Sequence, residues 1–160
     1  MTGRGDFTDE EWARLRRAPI VAGMAISLAD PGGPIEAFKE MHASLRSVFD
    51  AAEEGGRGEL VESLAKDVTA AARERKNPAA GFRPRGALAG QEILDELSAV
   101  NGIVTEKATP DEAEAFRAWL LEAAQRSAEA AKEGGFMGFK AERVSEGEQR
   151  MLDKLAEVLR

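Results

Sequence analysis

The sequence predicts an all-α fold, a single compact bundle of six or seven helices, and three observations carry that prediction. Apolar residues recur at three- and four-residue steps along most of the chain. Ser/Thr-x-x-Glu capping boxes precede several of those runs, at Thr8, Thr109 and Ser145. β-branched residues are scattered and never alternate over the length of a strand.

Thr8-Asp9-Glu10-Glu11 opens a short helix with Trp12 and Leu15 inward, which Pro19 ends or restarts. Residues 20–29 (IVAGMAISLA) are nearly all apolar or small, so this helix is the expected centre of the core. Gly23, Ala25 and Ser27 would let a neighbour approach closely. Asp30-Pro31-Gly32-Gly33-Pro34 then breaks the chain, and Pro34 suits the first turn of a new helix. Its inward stripe reads Ile35, Phe38, Met41, His42, Leu45, Val48, Phe49 and Ala52, and Gly55-Gly56 ends it. From Gly58 to Arg75 a further helix turns Leu60, Val61, Leu64, Val68 and Ala72 inward. The stretch from Lys76 to Gly86 holds two prolines and two glycines and is the expected mobile loop. Leu88, Ile93, Leu94, Leu97 and Val100 mark the next helix, with Asn101-Gly102 as a left-handed cap.

The last third is the most heavily punctuated. Thr109-Pro110-Asp111-Glu112 combines a threonine cap, a first-turn proline and a glutamate three residues after the cap. Ala113, Phe116, Leu120, Ala123, Ala124, Ser127 and Ala131 follow on one helical face, and Gly134-Gly135 stops it. Ser145-Glu146-Gly147-Glu148 opens the last helix, with Met151, Leu152, Leu155, Val158 and Leu159 as its stripe. Residues 20–53 and 116–159 both run small-residue-rich helix, glycine-bearing loop, amphipathic helix, with slight residue identity, a pattern that fits two related hairpins or the general likeness of any two helical hairpins.

A chain of 160 residues suits a single domain, 1–160, able to bury roughly 70% of its unfolded surface. It has no cysteine. The opening Met1-Thr2-Gly3-Arg4-Gly5-Asp6 lacks the apolar core of a signal peptide, and no run approaches the ~20 apolar residues that span a bilayer. A cytoplasmic protein away from membranes is the expectation. The formal charge of -7 argues against nucleic-acid binding unless a basic patch is segregated.

One such patch exists. Arg73, Arg75, Lys76, Arg83 and Arg85, with Glu74 among them and Phe82 between, give a local charge of +4. That composition can grip RNA, DNA or an acidic protein face, or can simply be a solvated loop. A second feature is Gly134-Gly135-Phe136-Met137-Gly138-Phe139. Three large apolar side chains among glycines either fold back to close the bundle or form an exposed knob for a partner or an identical subunit. Phe136, Met137 and Phe139 are the expected partner contacts.

Covalent chemistry has little support in the sequence. His42 is the only histidine, and the glutamate near it, Glu40, lacks the Glu-x-x-His spacing of di-iron bundles. No serine sits in an elbow motif, and no glycine loop follows a strand. A cation site is conceivable at Asp30, which precedes a glycine turn with Glu36 in the following helix. The turn lacks the alternating oxygen ligands of an EF-hand.

Ser27-Leu28-Ala29-Asp30 with Gly32 and Ile35, and Val144-Ser145-Glu146-Gly147-Glu148 in the second hairpin, resemble the repeated hairpin of the TerB-like tellurite-resistance helical family. The resemblance covers about half the chain and implies a stress-associated protein holding a divalent cation through Asp30, with Glu36 as a further ligand. Two departures stand against it: the first turn carries two prolines, and the second loop replaces the acid-glycine turn with Glu133 to Phe139. The leading expectation is therefore a non-enzymatic interaction or assembly protein, without cofactor, that docks a protein partner or a second copy of itself through the apolar loop. Cation binding at Asp30 and nucleic-acid or acidic-partner binding through the 73–85 loop are the alternatives.

Overall fold

The computed structural model describes residues 2–29, 34–130 and 144–160, without the side chains of 34–38. Six α-helices are found among the described residues: α1 (Asp9–Ala29), α2 (Pro34–Glu54), α3 (Glu59–Arg73), α4 (Ala89–Lys107), α5 (Pro110–Ala130) and α6 (Glu146–Val158). Short 3-10 turns cover Arg4–Asp6 and Gly86–Leu88. No strand occurs among the described residues, and no helix there is long and apolar enough to cross a membrane. The all-α prediction holds.

All three expected capping boxes form. The Thr8 hydroxyl accepts from the Glu11 N–H while the Glu11 carboxylate accepts from the Thr8 N–H, and Thr109/Glu112 and Ser145/Glu148 repeat the arrangement. Each box satisfies two N–H groups that the first helical turn would otherwise leave unpaired.

Helix α1 is the hub, packing on α2, α3, α4, α5 and α6. It runs straight through Pro19, where the sequence predicts a break. The missing N–H costs one helical hydrogen bond, about 3 kcal/mol in an ordinary helix interior. Burial of Trp12, Leu15, Ala18, Ile20, Val21, Ala22, Ala25 and Ile26 on nearly all sides outweighs it. Helix α4 likewise continues through Asn101-Gly102 to Lys107. The Asn101 amide is drawn into tertiary bonds: Nδ2 donates to the main-chain oxygens of Val158 and Arg160, and Oδ1 accepts from Arg117 Nε at 2.7 Å. Val104, fully buried, extends the apolar stripe one turn further.

The face that α2 turns inward is rotated from the expected one: Val48 is buried and Leu45 and Ala52 pack against the core as expected, but the centre of the face has moved. Glu40, Ser44, Ser47, Val48 and Ala51 are buried, while Met41 and His42 face solvent. The reason lies in its partners. Helix α2 packs against α5 and α1, and where Ser44 meets Gly23 of α1 and Ser127 of α5 the approach is too close to admit a Met or Phe side chain. A Cβ built on Gly23 would fall inside the radius of Ser44 Oγ. The close approach read from Gly23 is thus observed.

Candidate functional site

Small residues along the α1–α2 crossing leave room beside it. The space is a cleft of about 420 Å³, within the range of ligand pockets. Ile20, Gly23, Met24, Ser27 and Leu28 of α1 form one side, Met41 and Ser44 of α2 the second, and Asn77, Ala79, Phe82, Arg83 and Pro84 of the α3–α4 loop the third. Leu28 and Met41 stand 47% and 48% exposed at its mouth. Only three large apolar side chains are that open among the described residues, and two of them line this one cleft. The third is Leu88, in the 3-10 turn that follows Arg85.

The floor is polar but internally satisfied. Ser27 Oγ donates to the Glu40 carboxylate, which is 1% exposed. Ser44 Oγ lies 2.6 Å from Ser127 Oγ, and Ser127 Oγ has the Ala123 and Glu40 carbonyl oxygens at 2.9 and 3.1 Å. Ser127 donates to a carbonyl, so Ser44 donates to Ser127. Both serines that line the cleft are thereby committed to buried acceptors, Ser27 to the Glu40 carboxylate and Ser44 to Ser127, and among the described residues neither is bonded to an imidazole or amine.

The loop wall is held by α1. Arg17 donates through Nη1 to the Ala80 carbonyl and through Nη2 to Glu96 at 3.0 Å, and its guanidinium lies 5.6 Å from the Phe82 ring centroid. Gly81, at φ +88°, admits the guanidinium where a Cβ would stand 2.8 Å from Nη1. Arg14 adds a two-pronged contact to the same glutamate. Burial raises the Glu96 pKa, but the bonds from Arg14 and Arg17 outweigh it and hold the carboxyl below its ordinary value.

The predicted site residues fall as follows. Arg83 lines the cleft, and Arg73, Arg75, Lys76 and Arg85 are exposed in the same segment. Arg75 has φ +57°. With Lys76 N–H bonded to the Ala71 carbonyl and Arg75 N–H to that of Ala72, it forms a Schellman ending for α3, at the position glycine ordinarily fills. Asp30 and the Phe136, Met137 and Phe139 loop lie outside the described residues, as does the Glu36 side chain. No group of three metal-ligating side chains occurs among the described residues. His42 lines a separate, more polar hollow with Arg46, Phe49, Asp50 and Glu53.

Leu28, Met24 and Met41 escaped the sequence reading. Leu28 lies in an apolar run whose composition predicts burial on most sides, and the three- and four-residue spacing places Met41 on the inner stripe. The serines at 44 and 47, one helical turn apart with Glu40, were the legible sign of a second, small-residue face. Compared with protein-family models, curated proteins and solved structures, the chain matches none.

Proposed function

We propose that this chain is a non-enzymatic interaction protein that docks a partner through the cleft between α1, α2 and the α3–α4 loop. The observation that carries it is the pairing of Leu28 and Met41, half-exposed on different helices at the mouth of one apolar cavity. Completing the burial of two such side chains is worth about 2–3 kcal/mol together, a sizeable share of a micromolar affinity near 8 kcal/mol. A satisfied floor favours binding over reaction. The serines shape the cavity without offering an activated nucleophile.

The apolar side chains of the 136–139 loop belong to the same proposal as a second contact surface, on their composition alone. Site-specific photo-crosslinking separates the two. A benzophenone amino acid at position 41 is expected to give an adduct, with a partner or with a second copy of the chain, that disappears when Leu28→Glu is added. Adducts of equal yield in the presence and absence of Leu28→Glu would contradict docking at the cleft.

A further inference from the structure

Resting on the docking cleft proposed above, we infer that the partner presents an acidic amphipathic segment. A large apolar side chain enters the cleft, and Asp or Glu within one turn of it meets the basic strip from Arg73 to Arg85.

Charge at the rim is the first support. Arg83 lines the cleft and Arg85 follows Pro84, itself a lining residue; Lys76 precedes the lining residue Asn77. Among the described residues, Arg73, Arg75, Arg83 and Arg85 form no ion pair, and Lys76 pairs only with its neighbour Glu74. Basic side chains on the packed faces behave differently. Arg14 and Arg17 are engaged by Glu96, Arg57 and Arg126 by Glu122, and Lys107 by Glu11. Net positive charge therefore borders an apolar cavity in a chain of net charge -7, with Glu74 beside Lys76 and the Glu92 carboxylate on the Arg85 main-chain N–H as its acidic neighbours. An acidic partner is drawn to that rim and repelled by most of the remaining surface, which gives orientation as well as attraction.

The backbone at Arg75 is the second support. A left-handed residue at a helix end is ordinarily glycine, because a side chain there is strained. Here an exposed arginine occupies it. Two main-chain bonds hold the turn, and the Arg75 side chain makes no ion pair among the described residues, which leaves its charge open to an acidic partner.

The third support distinguishes protein from nucleic acid. Single strands are held by aromatic faces on which bases stack. Phe82 is the strip's only aromatic, and the Arg17 guanidinium already occupies one face of its ring. The cleft offers Leu, Met and Ile side chains instead, which suit the apolar anchors of an amphipathic segment.

The test is a selection of short random peptides displayed on phage against the full chain, followed by fluorescence anisotropy with the winning peptide labelled. Winners are expected to combine Leu, Met, Phe or Trp with nearby Asp or Glu. Their binding should fall by about tenfold or more in Leu28→Glu or Met41→Glu, by roughly threefold in Arg83→Glu or Arg85→Glu, and steadily with added salt. Replacing the peptide's acids by lysine should restore binding to Arg83→Glu. Far-UV circular dichroism of each variant checks that it is folded. Winners that need Leu28 but carry no acids would overturn this inference and leave the cleft standing. Winners indifferent to both Leu28→Glu and Met41→Glu would overturn both. Tighter binding of an oligouridylate than of any peptide, lost in Arg83→Glu, would overturn it in favour of nucleic acid.

Discussion

Replacing Gly23 by alanine sets helix propensity against packing, with opposite signs. In an ordinary helix interior the change stabilises by about 1 kcal/mol, because glycine has more backbone freedom to lose. Here the new methyl would overlap Ser44 Oγ and stand 3.1 Å from both Ser44 Cβ and Ser127 Oγ. Relief requires Ser44 Oγ to rotate away from Ser127, to which it is bonded at 2.6 Å. A buried hydroxyl left unpaired costs about 1–3 kcal/mol, and overpacking a close helix crossing costs a similar amount. After subtracting the propensity gain, Gly23→Ala should destabilise by about 1–5 kcal/mol. Urea denaturation followed by far-UV circular dichroism measures it, as a drop in midpoint at unchanged slope. Ser44→Ala removes the offending oxygen while Ser127 keeps the Ala123 carbonyl. In that background the cost of Gly23→Ala should shrink by about 1–2 kcal/mol, a coupling typical of side chains in contact. If Gly23→Ala proves as stable as the parent or more so, the α1–α2 crossing is not as close as described, and the cleft beside it loses its geometry.

Three further outcomes are expected. Arg75→Gly should stabilise the chain by roughly 0.5–1 kcal/mol by relieving the left-handed residue, yet weaken binding of an acidic peptide; both are read from one denaturation series and one anisotropy titration. Burial pulls the Glu112 pKa up, but hydrogen bonds from the Thr2 hydroxyl and N–H and from Thr109 outweigh it and hold the carboxyl at about 2. The folded value lies below the ordinary 4.5, so its stabilisation is present above pH 4.5 and lost as pH falls toward 2. That loss should be roughly 1–2 kcal/mol after allowing for solvent screening, and absent in Glu112→Gln, as acid titration of the unfolding midpoint will show. Asn101→Ala should cost about 1–2 kcal/mol and raise amide exchange in the last turn of α6, where Asn101 now holds the main-chain oxygens of Val158 and Arg160.

Local signals in the sequence were reliable where the chemistry was local. Thr8, Thr109 and Ser145 announce helix starts because their partners, Glu11, Glu112 and Glu148, stand three residues away. The stripe of α3 was legible because Leu60, Val61, Leu64 and Val68 present one apolar face with no competitor. Pro19 and Asn101-Gly102 misled for the opposite reason. Both carry strong local signals, and in both the tertiary surroundings prevail: burial around Pro19, and bonds from Asn101 to residues far along the chain. Helix α2 had two possible inner faces, and which one turns inward depends on the size of the residues opposite, Gly23 and Ser127, which no reading of α2 alone supplies. The cleft follows from that choice, so its basic rim was visible in sequence while its apolar mouth was not.

Labelling the methyl groups of the five methionines with carbon-13 and titrating in the selected peptide tests the central claim most directly. Met24 and Met41 line the cleft, whereas Met151 sits on α6. Docking at the cleft predicts that the Met24 and Met41 signals move together and saturate with the anisotropy curve while Met151 stays in place. Movement of Met137 alone would place the contact on the glycine-rich loop and contradict the cleft.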